Sequence, residues 1–157
     1  MSIKEHPPQH VPVLLEATLD TLHPIQGENY LDLTAGYGGH ARRFLEKTTN
    51  YEASVLVDRD SFAIAELGEF TEKGVTLLHT DFVSAARSLV EEGKQFDIVL
   101  VDLGVSSPQL DKSERGFSFT HDGPLDMRMD RRQDISAKTL VNRAKKRRTH
   151  PYYQNLW

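Results

Sequence analysis

The chain has 157 residues, a length that suits one domain with a buried core, and it contains no cysteine, which excludes disulfides, thiolate zinc sites and a cysteine nucleophile. No apolar run nears the roughly 20 residues a membrane helix needs, and residues 1–8 lack the apolar core of a signal peptide, so a cytoplasmic protein with no membrane partner is expected. The net charge of −4 is unevenly spread: residues 1–130 carry 11 basic and 22 acidic side chains, residues 131–157 carry 8 and 1.

In chain order, Val11, Leu14, Leu15, Leu19 and Leu22 fall near helical spacing, so residues 12–22 read as an amphipathic helix with Pro12 in its first turn. Tyr30–Leu33 is a short apolar run entering the turn Gly36-Tyr37-Gly38-Gly39, and residues 40–48 look helical. Ala53–Val57 is a strand ending at Asp58, with a helix around Ser61–Phe70 after it. Val75–His79 is a third strand ending near Asp81, and a helix spans about Val83–Glu92. Phe96–Val101 is a fourth, ending in Asp102. This alternation predicts right-handed βαβ crossovers, hence an α/β fold with a parallel sheet.

The glycine turn lies between a strand and a helix, where positive φ and close approach of a ligand both favour glycine. Gly36-x-Gly38-x-x-Ala41 satisfies the dinucleotide fingerprint, so the turn alone leaves nicotinamide and adenosylmethionine cofactors open, beside an ordinary tight turn. Asp58, at the end of the next strand, can accept from both ribose hydroxyls of either cofactor; Asp60 suits a helix cap. Asp32, four residues before Gly36, follows the habit of adenosylmethionine-dependent enzymes, whose ligand carries an ammonium needing acidic partners.

After the fourth strand comes a loop that no core requires. It reads Asp102-Leu-Gly-Val-Ser-Ser-Pro-Gln109-Leu-Asp, then Arg115-Gly-Phe-Ser-Phe119, then Asp126-Met-Arg-Met-Asp130. Loops at the carboxyl ends of parallel strands hold the chemistry of such folds. Together with the glycine turn, this wording resembles the bacterial 16S rRNA cytosine-N4 methyltransferase family, which uses S-adenosylmethionine.

The resemblance implies a Rossmann-like class I methyltransferase fold, with four parallel strands in the order 3-2-1-4 flanked by helices. It implies cofactor contacts at Gly38, Gly39, His40, Asp58, Phe82, Asp102 and Gln109, beside Gly36, a candidate from the glycine turn itself. Phe82 either stacks on adenine or fills core, and His40 either touches the ligand or starts a helix. The substrate implied is 16S rRNA or the small ribosomal subunit, and no metal is required. The exocyclic nitrogen of cytosine is a weak nucleophile because its lone pair is delocalised into the ring. Acceptors on its N–H groups can pull it towards tetrahedral geometry, and positioning supplies the rest. Asp102, or backbone carbonyls of residues 105–107 in the Val105-Ser106-Ser107-Pro108 motif, are the candidate acceptors, with cofactor contact ranked first for Asp102. Arg115, Phe117, Phe119 and Arg128 offer arginines for phosphates and aromatics for stacking, unless the loop packs on itself through Arg–Asp pairs.

The resemblance runs from about His10 to Asn142. Residues 1–143 then read as a partial S-adenosylmethionine-binding domain, and 144–157 as a basic tail, disordered or the product of a frameshift. Codons allowed for that tail, read one nucleotide out of register, encode a segment like the family's next one. A chain ending here would expose its fourth strand as an apolar edge open to self-association. The other readings are a non-catalytic nucleotide- or RNA-binding remnant and a nicotinamide oxidoreductase; Asp32 and the loop after strand 4 weigh against the latter.

Overall fold

The computed structural model describes residues 12–143. The chain divides into two compact units, residues 1–104 and 105–157. The first contains α1 (Leu15–Leu22), β1 (Tyr30–Asp32), α2 (Gly39–Thr48), β2 (Val55–Asp58), α3 (Ser61–Glu66), α4 (Gly68–Thr71), β3 (Thr76–His79), α5 (Phe82–Glu91) and β4 (Ile98–Leu100). The second contains α6 (Ser107–Asp111), a 3₁₀ turn (Ser113–Arg115) and α7 (Ala137–Arg143).

All strand pairs are parallel and the order is β3-β2-β1-β4, as the resemblance implies. Alternate strand residues face opposite sides of the sheet. On one side Tyr30, Leu56 and Ile98 join Leu19, Phe44 and Phe70 in the larger core. On the other, Leu31, Leu33, Val55 and Val57 meet Ala85 and Leu89 of α5. Both faces of β1 and β2 are therefore covered, which explains why these strands read as unbroken apolar runs.

Sequence-distant groups fix the register of β1 on β4. The Asn29 backbone N–H donates to Asp97 Oδ2 at 3.0 Å, and the Asp97 N–H donates to Asn29 Oδ1 at 2.8 Å. The Asn29 side-chain amide adds a bond to the Gln95 carbonyl at 2.8 Å. Tyr30, Leu31 and Asp32 then align with Ile98, Val99 and Leu100. β4 has β1 as its one strand neighbour among the described residues. Val99, whose register partner Leu31 lies on the α5 side, is 49% exposed. Nearby along α5, an apolar groove of about 440 Å³ is lined by Leu33, Phe82, Val83, Ala86 and Val90.

Two expected helices differ in detail. The first begins at Leu15, not at residue 12, because Leu14 adopts a left-handed conformation with φ 56°. Pro12 lies before the helix, and its ring occupies the space a side chain on Gly39 would need. The helix expected over Ser61–Phe70 divides at Leu67, where Gly68 opens a second short helix. Among the described residues no helix is long and apolar enough to cross a membrane. The basic tail, 144–157, falls outside the described residues.

Candidate functional site

The carboxyl ends of β1, β2 and β4 converge on the glycine turn. The Leu33 N–H donates to the Leu100 carbonyl at 3.0 Å, tying the turn to β4. The Ala35 N–H donates to the Val57 carbonyl at 2.9 Å, tying it to β2. Gly36 and Gly38 have φ of 54° and 78°, the left-handed region that glycine enters without steric cost. A Cβ on Gly38 would sit 2.7 Å from the Phe70 ring and 3.0 Å from Leu67, and one on Gly39 would overlap Pro12. Backbone geometry and packing within the protein therefore account for Gly38 and Gly39. Gly36 is the one whose Cβ direction is open, with Thr34 O at 3.9 Å as its nearest neighbour.

Three carboxylates gather here. Asp32 is 1% exposed; Tyr30 donates its phenol to Oδ2 at 2.7 Å and Thr34 its N–H to Oδ1 at 3.1 Å. Burial pushes Asp32 up to about 7 against the pull of those two donors, and the nearby charges of Asp58 and Asp102 add to the rise. Asp58 accepts the Gly36 N–H at 2.8 Å and the Asp60 N–H at 2.7 Å, and burial raises its pKa. Asp102 donates its backbone N–H to Thr34 Oγ1 at 2.7 Å, while its side chain is 59% exposed.

The one ion pair to this trio among the described residues is nominal. His40 Nε2 lies 3.9 Å from Asp102 Oδ2, but burial of the ring lowers its pKa and favours the neutral form. Among the described residues no lysine or arginine forms an ion pair with Asp32, Asp58 or Asp102. The result is a notch of converging acids with no lysine or arginine counter-charge among the described residues. Asp60 caps α3 by accepting the Phe62 N–H at 3.0 Å, the role the sequence suggests for it. Phe82, the first residue of α5, is 38% exposed at the groove, so the core-filling alternative does not hold.

In the second unit the expected motif forms the first turn of α6. Ser106 is the N-cap, Pro108 falls in the first turn, and Gln109 reaches back to accept the Ser106 N–H at 3.0 Å. The Ser106 carbonyl accepts from the Gln109 and Leu110 N–H groups at 3.0 and 3.3 Å, so it is engaged in the helix and not held out as an acceptor. Arg115 corrects the expectation of a phosphate contact. It is 1% exposed, and its guanidinium donates to the carbonyls of Met129 at 3.2 Å and Arg128 at 3.4 Å. Arg128 grips both oxygens of Asp126 at 2.6 and 2.9 Å, and Arg132 does the same with Asp130. The loop thus packs on itself through Arg–Asp pairs. Phe117 is half-buried, whereas Phe119 is 88% exposed.

The residues that sequence reasoning missed are Tyr30 and Thr34. Tyr30 stands two residues before Asp32 and so shares its face of β1, a signal that was available. Ser106-x-x-Gln109 likewise matches the capping-box spacing. Nothing in the sequence marks Thr34 as the link to β4.

A parallel sheet in this order, with a glycine turn after β1 and acids ending β1 and β2 and following β4, defines a Rossmann-like methyltransferase domain. The family model described as the MraW methylase family matches residues 8–152, and the chain belongs to that family. Three relatives bear the name ribosomal RNA small subunit methyltransferase H. That of Rickettsia massiliae (strain Mtu5) is 43% identical over 141 residues, covering 88% of this chain and 44% of the relative. That of Lactobacillus johnsonii is 43% identical over 144 residues, covering 85% and 45%. That of Rickettsia akari (strain Hartford) is 46% identical over 136 residues, covering 85% and 43%. The chain spans under half the length of these relatives. Membership in a methylase family implies a methyl donor.

Proposed function

We propose that residues 12–104 bind S-adenosylmethionine, and that the protein serves methyl transfer to the exocyclic N4 of a cytidine in small-subunit 16S rRNA. The observation carrying this reading is the notch of three acids to which no lysine or arginine among the described residues is paired. An anionic, partly buried site is stabilised by a cationic ligand, and the sulfonium and ammonium of this cofactor supply two positive charges. NAD, with its pyrophosphate, would bring negative charge to the same acids. The relatives' printed name and the family description point the same way.

Each residue has a role on this reading. Asp58 exchanges its bond to the Gly36 N–H for the ribose hydroxyls, and that N–H is left to the ligand. Asp102, exposed and adjacent to the turn, receives cationic or N–H donors. Gly38, Gly39 and His40 shape the turn, and Phe82 offers a half-exposed ring to the adenine. The bound cofactor supplies the electrophilic methyl group. In residues 105–143 Ser106, Ser107, Pro108 and Gln109 build the start of α6. RNA contact is assigned to Phe119, with Phe117 and Arg128 supporting its loop. A cytoplasmic location and pairing of two copies through the exposed β4 edge belong to the same proposal.

The test is calorimetric titration of the whole chain with S-adenosylmethionine and, separately, NAD. Preferential binding of the former is expected, with loss of at least tenfold in affinity for Asp58→Ala. Binding of NAD alone, or equal binding by Asp58→Ala, overturns the reading. Transfer of a labelled methyl group to small-subunit RNA distinguishes an active enzyme from a binding remnant.

A further inference from the structure

We propose that Tyr30 is a positioning residue for the cofactor site, acting through Asp32 and Thr34 to place Asp102. The inference rests on the cofactor reading above and extends it to a residue that no ligand would touch.

Tyr30 is fully buried and has little freedom. Its ring stacks on Phe44 of α2 with centroids 4.9 Å apart and planes 3° from parallel, and its backbone N–H is held by Ser54 Oγ at 3.0 Å. The phenol therefore has one fixed direction, and at its end is Asp32 Oδ2 at 2.7 Å. Asp32 passes the constraint on: Oδ1 accepts the Thr34 N–H, and Thr34 Oγ1 accepts the Asp102 N–H at 2.7 Å. The path runs from the core, through the end of β1, to the residue after β4. Its three links are hydrogen bonds of 2.7, 3.1 and 2.7 Å. A polar chain anchored in the core at one end fixes geometry, because removing the Tyr30 donor leaves a desolvated Asp32 oxygen unpaired.

The path also governs charge. Asp32 is held by two donors that favour its ionised form and by burial that opposes it. The titratable groups facing it are Tyr30 on its own strand, Asp58 at the end of β2 and Asp102 after β4; His40 of α2 stands beyond Asp102. Removing the phenol donor takes away the largest influence that keeps Asp32 ionised, so its titration moves to higher pH. A protonated Asp32 offers less attraction to a sulfonium or ammonium, and cofactor affinity follows the proton.

Tyr30→Phe tests this, since it deletes the hydroxyl and keeps the ring that stacks on Phe44. Two measurements on the whole chain are needed. The first needs no ligand: carbon and amide NMR titrations of the free protein follow the Asp32 carboxyl and the Asp102 backbone N–H. In the wild type both report one inflection, passed through Thr34. In Tyr30→Phe that inflection moves up by about one unit, a tenfold change in proton affinity. In Thr34→Val the Asp32 inflection persists while the Asp102 amide ceases to follow it. The second is calorimetry with S-adenosylmethionine across pH. The affinity of Tyr30→Phe is about fivefold below wild type near pH 7 and recovers as pH rises, a pattern that a loss of structure alone does not give.

An unchanged Asp32 inflection in Tyr30→Phe, or an Asp102 amide that follows Asp32 equally in Thr34→Val, overturns the proposal. If the wild type binds no S-adenosylmethionine at any pH, the cofactor reading fails, and the ligand-free titration still decides the role of Tyr30 in placing Asp102.

Discussion

A methyl group placed on Gly38 separates what the turn does for the fold from what it does for a ligand. In Gly38→Ala the new Cβ lies 2.7 and 3.2 Å from two atoms of the Phe70 ring and 3.0 Å from Leu67, at a residue whose φ is 78°. The left-handed conformation costs about 1–2 kcal/mol in a residue with a side chain. Forcing extra volume against two buried side chains adds about 1–3 kcal/mol. The expected loss is thus about 2–5 kcal/mol, a large part of a small domain's stability. Gly36→Ala provides the internal control, because φ there is also positive but the nearest atom to the new Cβ is 3.9 Å away. Its loss is limited to the backbone cost, about 1–2 kcal/mol. Urea unfolding followed by far-ultraviolet circular dichroism reads both values. Shrinking the obstruction with Phe70→Leu in the Gly38→Ala background recovers part of the loss. If Gly36→Ala is as destabilising as Gly38→Ala, or the Phe70→Leu rescue is absent, the packing account of this turn is wrong.

Arg115→Met removes the guanidinium that holds the carbonyls of residues 128 and 129, and proteolysis should cut residues 116–135 faster, with a stability loss of about 1–3 kcal/mol for the unpaired carbonyls. For the ligand-free chain, Asp32 binds its proton more tightly folded than unfolded, so the stability it contributes is present in acid and lost as pH rises through about 7. Asp32→Asn should remove that fall from a pH series of unfolding midpoints. Asp126, held down to about 2 by Arg128, has the opposite sign: its contribution is lost only as pH drops towards about 2, and Asp126→Asn should flatten the acid limb. Phe119→Ala should leave unfolding unchanged, since the ring is 88% exposed, and weaken binding of small-subunit RNA by about 1–3 kcal/mol if the ring stacks on a base.

Much of the fold is legible in the sequence because the strands are short, apolar and punctuated by acids. Val55–Asp58 and Thr76–His79 lie within the runs expected for them, and the order of four parallel strands follows from the resemblance. Local signals served where the cause was local, as at Asp60, which caps the helix immediately after it. They failed where the cause was distant. Leu67 and Phe70, the reason Gly38 must lack a side chain, come 29 residues and more along the chain. Arg115 has the residue type of a surface cation, and only the folded loop shows carbonyls closing around it. Pro12 suited a first helical turn by its own chemistry, yet its ring fills the space above Gly39.

The reciprocal clasp between Asn29 and Asp97 joins positions 68 residues apart. Contacts so distant form late when a chain folds, because a long loop must close before they contribute. Synthesis therefore releases β1, β2 and β3 from the ribosome well before the fourth strand. Until Asp97 emerges, one flank of β1 has no partner and Asp102 is not yet in place. The notch is thus the last part of this unit to assemble, and a ligand that needs Asp102 acts as a selector for chains in which the fourth strand has docked.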